Sequence, residues 1–153
     1  MEHMDFTDIE NFIPQEEPAI QIGPISIWIK GISIKSDNPD QIVLGAPFLY
    51  KTAKVRIYSA GSNIMGFELI RITKDLSDLY EDTRARVTEI NFDNAEFMIK
   101  LSKDAAGRIE VKTTYWAWGN EGSGNLVFKD RIDQTYLPNI IRQVNAAQSF
   151  LGG

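Results

Sequence analysis

The sequence predicts an α+β fold: a mostly antiparallel, twisted β-sheet or meander, a short middle helix, and a C-terminal amphipathic helix packed on the sheet. Three observations carry this. Apolar residues alternate with polar ones in many short runs separated by Gly, Asn and Asp. In 125–144 (NLVFKDRIDQTYLPNIIRQV) the apolar period switches from two to about 3.6. Strands joined by tight turns, with helices set apart from them, define α+β rather than α/β.

The terminal segment is the clearest. Leu126 and Phe128 alternate with polar neighbours as a half-buried strand does, and Leu137, Ile140, Ile141 and Val144 then recur on one helical face. Thr135 is the expected N-cap, because Pro138 then falls in the first turn, where a missing N–H costs nothing. Capping at Asp133 would push Pro138 inward.

Earlier elements follow the same logic. Ile25, Ile27 and Ile29 alternate with Ser26, Trp28 and Lys30; after Gly31 the parity shifts to Ile32 and Ile34, as at a bulge or sharp bend. Residues 37–53 read as irregular, with Asp37, Asn38, Pro39, Asp40 and Pro47 interrupting them. Val55 and Ile57 suggest a strand, 61–63 a turn, and Met65, Phe67 and Leu69 another strand. Thr73 then caps a short helix whose inward face is Leu76, Leu79 and Tyr80. A strand near 86–92 meets a turn at Asp93 and Asn94. Ala95, Phe97, Ile99 and Leu101 line the next strand, and 104–107 make another turn. The strand 108–118 has Ile109, Val111, Thr113, Tyr115 and Ala117 as its inner face, and 119–124 (GNEGSG) lead into the final strand.

Composition sets limits on function. The chain has 153 residues, 43% hydrophobic and 24% charged, as an ordinary globular domain does. It has no cysteine, so disulfides, thiolate nucleophiles and Cys-ligated zinc are excluded. The single histidine, His3, leaves the body without the means for a histidine triad or a His-ligated metal site. No apolar run approaches the ~18 residues of a membrane span, and no signal-type segment opens the chain, so a cytoplasmic location is expected. The net charge of −5 is unevenly placed: residues 1–17 hold six acids and no Lys or Arg, leaving +1 on 18–153. This divides the chain into an acidic arm, 1–17, and a single α+β domain, 18–153. The arm is either a solubilising leader or an acidic element for a basic partner; Thr7 and Glu10 offer a capping box, and Ile9 and Ile13 a docking face. No Lys/Arg stripe runs along the sequence, so direct nucleic-acid binding is not expected.

Candidate site residues are few. Glu89 with Asp93, or Asp130 with Asp133, are carboxylate pairs of the kind acid/base catalysis uses, but beside turns such residues ordinarily lie solvated. The GNEGSG segment joins two strands rather than leading into a helix, so it reads as a hairpin connection and not a phosphate loop. The tryptophans matter more. On the 108–118 strand the even face runs Arg108, Glu110, Lys112, Thr114, Trp116, Trp118, charged at one end and aromatic at the other; Trp28 also sits among polar alternates. These indoles are either covered by the C-terminal helix or by 37–53, or they form an exposed patch for a protein or a sugar ring. Burial decides between the two.

The segments GFELIRITKDLSDLY, FDNAEFMIKLSKDAAGRIEV and NLVFKDRIDQTYLPNII resemble the WapI-type immunity proteins of bacterial polymorphic toxin systems. The resemblance spans about 66–144, and its sharpest element is the DQTYL run, 133–137, at the family's strand-to-helix junction. It implies a small cytoplasmic, non-catalytic protein without cofactor that binds and neutralises a cognate toxin domain, a nuclease being one such partner. Acidic residues of the middle helix, Asp75, Asp78, Glu81 and Asp82, would face a basic toxin, joined by Trp28, Trp116 and Trp118. An alternative is a carbohydrate- or small-ligand-binding sheet that uses the three tryptophans as stacking platforms. A homodimer through an open sheet edge is also compatible with the pattern.

Overall fold

A computed structural model of the chain describes residues 11–82, 86–93, 97–116 and 125–152. It is α+β, and among the described residues there are three antiparallel sheets and two α-helices. The first sheet holds β1 (Ile20–Ile22), β2 (Ile25–Ile27), β5 (Phe48–Lys51) and β6 (Arg56–Ser59), in the order β1-β2-β5-β6. The second joins β3 (Gly31–Ile34), β4 (Val43–Gly45) and β7 (Asn63–Met65). The third is a meander, β8 (Arg86–Asn91), β9 (Phe97–Lys103), β10 (Arg108–Trp116) and β11 (Asn125–Asp133), in which each strand pairs with its neighbour in sequence.

The first and third sheets face each other across the main core. In-register Ile20, Ile27 and Phe48, and Ile22, Ile25 and Tyr50, point inward from the first. Phe97, Ile99, Leu101, Ile109 and Val111 answer from the third. Phe48 stacks on Phe97 at 3.9 Å between ring centroids and meets Phe92 edge-on at 5.5 Å, while Tyr50 stacks on Phe128 at 4.5 Å. Such aromatic pairs add to simple area burial. Helix α1 (Gly66–Glu81) closes the core through Leu69, Ile72, Leu76 and Leu79, and α2 (Leu137–Ala147) through Leu137, Ile140, Val144 and Ala147. Helix α2 lies against β1 and α1, so the C-terminal helix is seated on the sheet as its apolar stripe requires.

The structure moves several boundaries. Residues 37–53 are not irregular: they hold a 3-10 turn at Pro39–Gln41, then β4 and β5. Both strands are short and largely buried, so their apolar runs show no alternation. Residues Phe67 and Leu69 belong to α1, not to a strand. The helix starts directly at Gly66, whose N–H donates to Ile42 O at 2.7 Å, and only a glycine fits there against Pro39. Thr73 is therefore mid-helix rather than a cap; its hydroxyl donates to Leu69 O at 3.0 Å and accepts from the Gln148 amide, linking the two helices. Tyr80, expected inward, is exposed, since Leu69, Ile72, Leu76 and Leu79 already fill the buried stripe.

At the C-terminal junction Asp133, not Thr135, is the capping residue. Its Oδ1 accepts from Thr135 N–H at 2.9 Å and starts a 3-10 turn, Gln134–Tyr136, that hands over to α2 at Leu137. That inserted turn lets Pro138 remain in the first turn of the α-helix despite the earlier cap. Leu126 is exposed on β11, while Phe128 is packed against Tyr50. The shift at Gly31 is a real bend: at φ 116 it carries the chain from the first sheet into the second, and the register slips between Ile32 and Ile34. The expected features at 1–10, Asn94, Ala95, Ala117, Trp118 and 119–124 lie outside the described residues.

Candidate functional site

The four acidic residues of the middle helix do not form a free acidic face. Asp75 accepts from Arg71 Nη1 at 2.6 Å, and Asp82 accepts from Arg86 Nε at 2.6 Å. Arg71 also pairs with the buried carboxylate of Glu68 and donates to Glu89 O at 2.6 Å. Burial pushes the Arg71 guanidinium down, but Glu68 and Asp75 outweigh it and hold the group above its ordinary range. Glu68 in turn accepts from Asn91 N–H at 2.9 Å, so this network fastens α1 to β8. Asp78 and Glu81 make no ion pair with a described residue.

The tryptophans separate. Trp28 is 4% exposed; its backbone N–H donates to Pro47 O at 3.0 Å and its indole N–H to Glu16 O at 2.9 Å. The Glu16 carboxylate pairs with Lys30, which holds the 16–17 end of the acidic arm over the indole. That carboxyl is held below its ordinary range by the Lys30 hydrogen bond. Trp28 thus presents no face to a partner or a sugar: it is buried, and the Glu16 carbonyl holds its indole N–H. Trp116 is half-buried at the end of β10, and Trp118 lies outside the described residues.

Sheet register assembles a different surface. On the outer face of the third sheet, residues directly opposite one another share a side. One row reads Val87, Ser102, Glu110, Arg131; the next reads Glu89, Lys100, Lys112, Lys129; a third reads Asn91, Met98, Thr114, Val127; Trp116 and Asn125 close the end. Helix α1 lies on the core side: the Lys103 ammonium, on the inner face, donates to Leu79 O at 2.7 Å, Asp82 O at 2.8 Å and Tyr80 O at 3.2 Å at the end of α1. The outer face keeps Val87, Val127, Glu89, Lys129 and Arg131 exposed. A cleft of about 420 Å³ opens at its charged end, lined by Arg86, Val87, Ser102, Arg108, Glu110 and Arg131.

Sequence reading missed the lysine row because Lys100, Lys112 and Lys129 come from three different strands; only the hairpin register reveals it. Lys112 stands directly opposite Lys100 on one side and Lys129 on the other. None of the three makes an ion pair with a described residue. The carboxylates weighed for acid/base work are also placed. Glu89 lies on the outer face, Asp130 accepts from the Tyr50 hydroxyl at 2.9 Å, and Asp133 caps a turn. Among the described residues no group of three potential metal-ligating side chains forms, and no helix is long and apolar enough to cross a membrane.

Comparisons with protein-family models, with curated proteins and with solved structures find no match to this chain.

Proposed function

We propose that this chain is a non-catalytic, immunity-type protein that binds and neutralises a cognate bacterial toxin domain in the cytoplasm. The observation that carries the reading is the outer face of the third sheet. It is a four-stranded platform that neither described helix packs on, with Val87, Val127, Met98 and Trp116 beside charged rows. A rigid face of mixed apolar and charged side chains, with an aromatic at its margin, is what a specific protein interface uses. The resemblance at 66–144 supports the same reading. A sheet that binds sugars by stacking is less well supported, because Trp28 is enclosed.

The test is co-expression. A toxin domain encoded beside this chain's gene is produced in cells with and without the chain, and growth and complex formation are followed. Restored growth together with a purified stoichiometric complex is the expected result. Continued killing with no complex removes the proposal.

A further inference from the structure

The lysine row raises a question of energetics. Like charges directly opposite one another on a sheet are destabilising. Here Lys112 has a lysine on each side, and the row spans two strand spacings, about 10 Å. Its one acidic neighbour in register, Glu89, stands at the far end, opposite Lys100 only. The row is flanked by Glu110 on one side and by the apolar Met98 and Val127 on the other.

We infer that Lys100, Lys112 and Lys129 form the docking element of this face, and that it takes a cluster of carboxylates on a protein partner; this rests on the reading of the chain as a toxin-binding protein. Charge complementarity selects the sign: three ammonium groups, none paired with a described residue, on one sheet face match an acidic patch and reject a basic one. The surroundings select a protein over a nucleic acid. A phosphate backbone would meet Glu89, Glu110 and Asp133 on the same face. It would also find a single described aromatic, Trp116, where single-strand binders line up several stacking platforms. Val87, Val127 and Met98 instead suit the apolar margin of a protein interface. The partner patch therefore carries Asp or Glu at its centre, and the acids of α1 are not the principal contact.

The test uses the whole chain and a short polyglutamate peptide, with a single-stranded oligonucleotide of equal charge as comparison, followed by NMR at low and high salt. Polyglutamate should shift the amides of Lys100, Lys112, Lys129 and Val127, and the shifts should fade as salt rises. Lys112→Glu should abolish them while the melting temperature holds or rises, since an acid between two lysines relieves repulsion; Lys112→Gln should weaken them. Lys74→Glu, on α1, should leave them intact. With the toxin domain, Lys112→Glu should slow association on the order of tenfold at low salt. Absence of shifts, their survival in Lys112→Glu, or tighter oligonucleotide binding at the same residues overturns the inference. A toxin complex indifferent to Lys112→Glu overturns it while leaving the proposed function standing. Polyglutamate binding without any toxin complex does the reverse.

Discussion

The Tyr50 hydroxyl donates to Asp130 Oδ2 at 2.9 Å, a bond between the central region of the first sheet and the edge strand of the third. Burial, reinforced by this hydrogen bond and by the Asp130 charge, pushes the phenol up to about 12. Below an ordinary tyrosine value of about 10 the phenol is neutral in both folded and unfolded chains, and its contribution is complete. Between about 10 and about 12 only the unfolded chain ionises, so stability falls as pH rises through that window. Tyr50→Phe keeps the ring stack on Phe128 but loses the bond. It should cost about 1 kcal/mol near neutral pH and flatten the alkaline loss, as read by urea denaturation across pH.

Lys103 is a buried cation held by three carbonyls at the end of α1. It satisfies helix-end acceptors that lack an intrahelical partner and complements the negative end of the helix dipole. Lys103→Met fills the space but leaves those carbonyls without their donor. A loss of about 2–3 kcal/mol is expected. Hydrogen exchange should show the last turn of α1 opening before the rest of the helix.

The two capping candidates at the C-terminal junction give opposite outcomes. Asp133→Ala removes the acceptor for Thr135 N–H and should cost about 1 kcal/mol in denaturant midpoint experiments. Thr135→Ala, at an exposed position that caps nothing, should stay within about 0.5 kcal/mol of the parent. Equal effects would contradict the assignment.

Gly66 and Gly61 form a similar contrast. A Cβ at Gly66 would sit 1.9 Å from Pro39 O, a backbone atom that can yield only if the 3-10 turn moves. Gly66→Ala should therefore destabilise by about 3 kcal/mol or more. A Cβ at Gly61 meets nothing within 4 Å, so Gly61→Ala should be nearly neutral in thermal melts.

The indoles divide in the same way. Trp28→Ser empties a buried site and strands the Glu16 carbonyl, with an expected loss of about 3–5 kcal/mol. Trp116→Ser, at a half-buried strand end, should cost about 1 kcal/mol and show its main effect on the proposed toxin binding. Thermal melts paired with a binding assay separate the two.

What was legible in the sequence was what short-range periodicity encodes. The alternation of Phe97, Ile99 and Leu101, the Asp104–Gly107 turn, and the Leu137, Ile140 and Val144 stripe all appear where their spacing places them. Segments of three or four residues were not legible. Met65, Phe67 and Leu69 fit a strand as well as they fit the entry to a helix, and Val43–Gly45 and Phe48–Lys51 are buried too fully to alternate. The surface was the least legible part. Whether Asp75 and Asp82 are free depends on Arg71 and Arg86, and whether Trp28 is exposed depends on Glu16. The lysine row exists only once three strands share a register.

The connectivity of the third sheet also has a kinetic consequence. Its four strands pair in chain order, so each pairing closes over a short loop, whereas β2 must wait for β5 and β4 for β7 in the other two sheets. Local pairings lose less chain entropy on closure and form sooner. The lysine-bearing platform should thus assemble first and serve as the template on which the N-terminal half condenses. Substitutions such as Ile99→Val would then slow refolding, while Ile25→Val would chiefly speed unfolding.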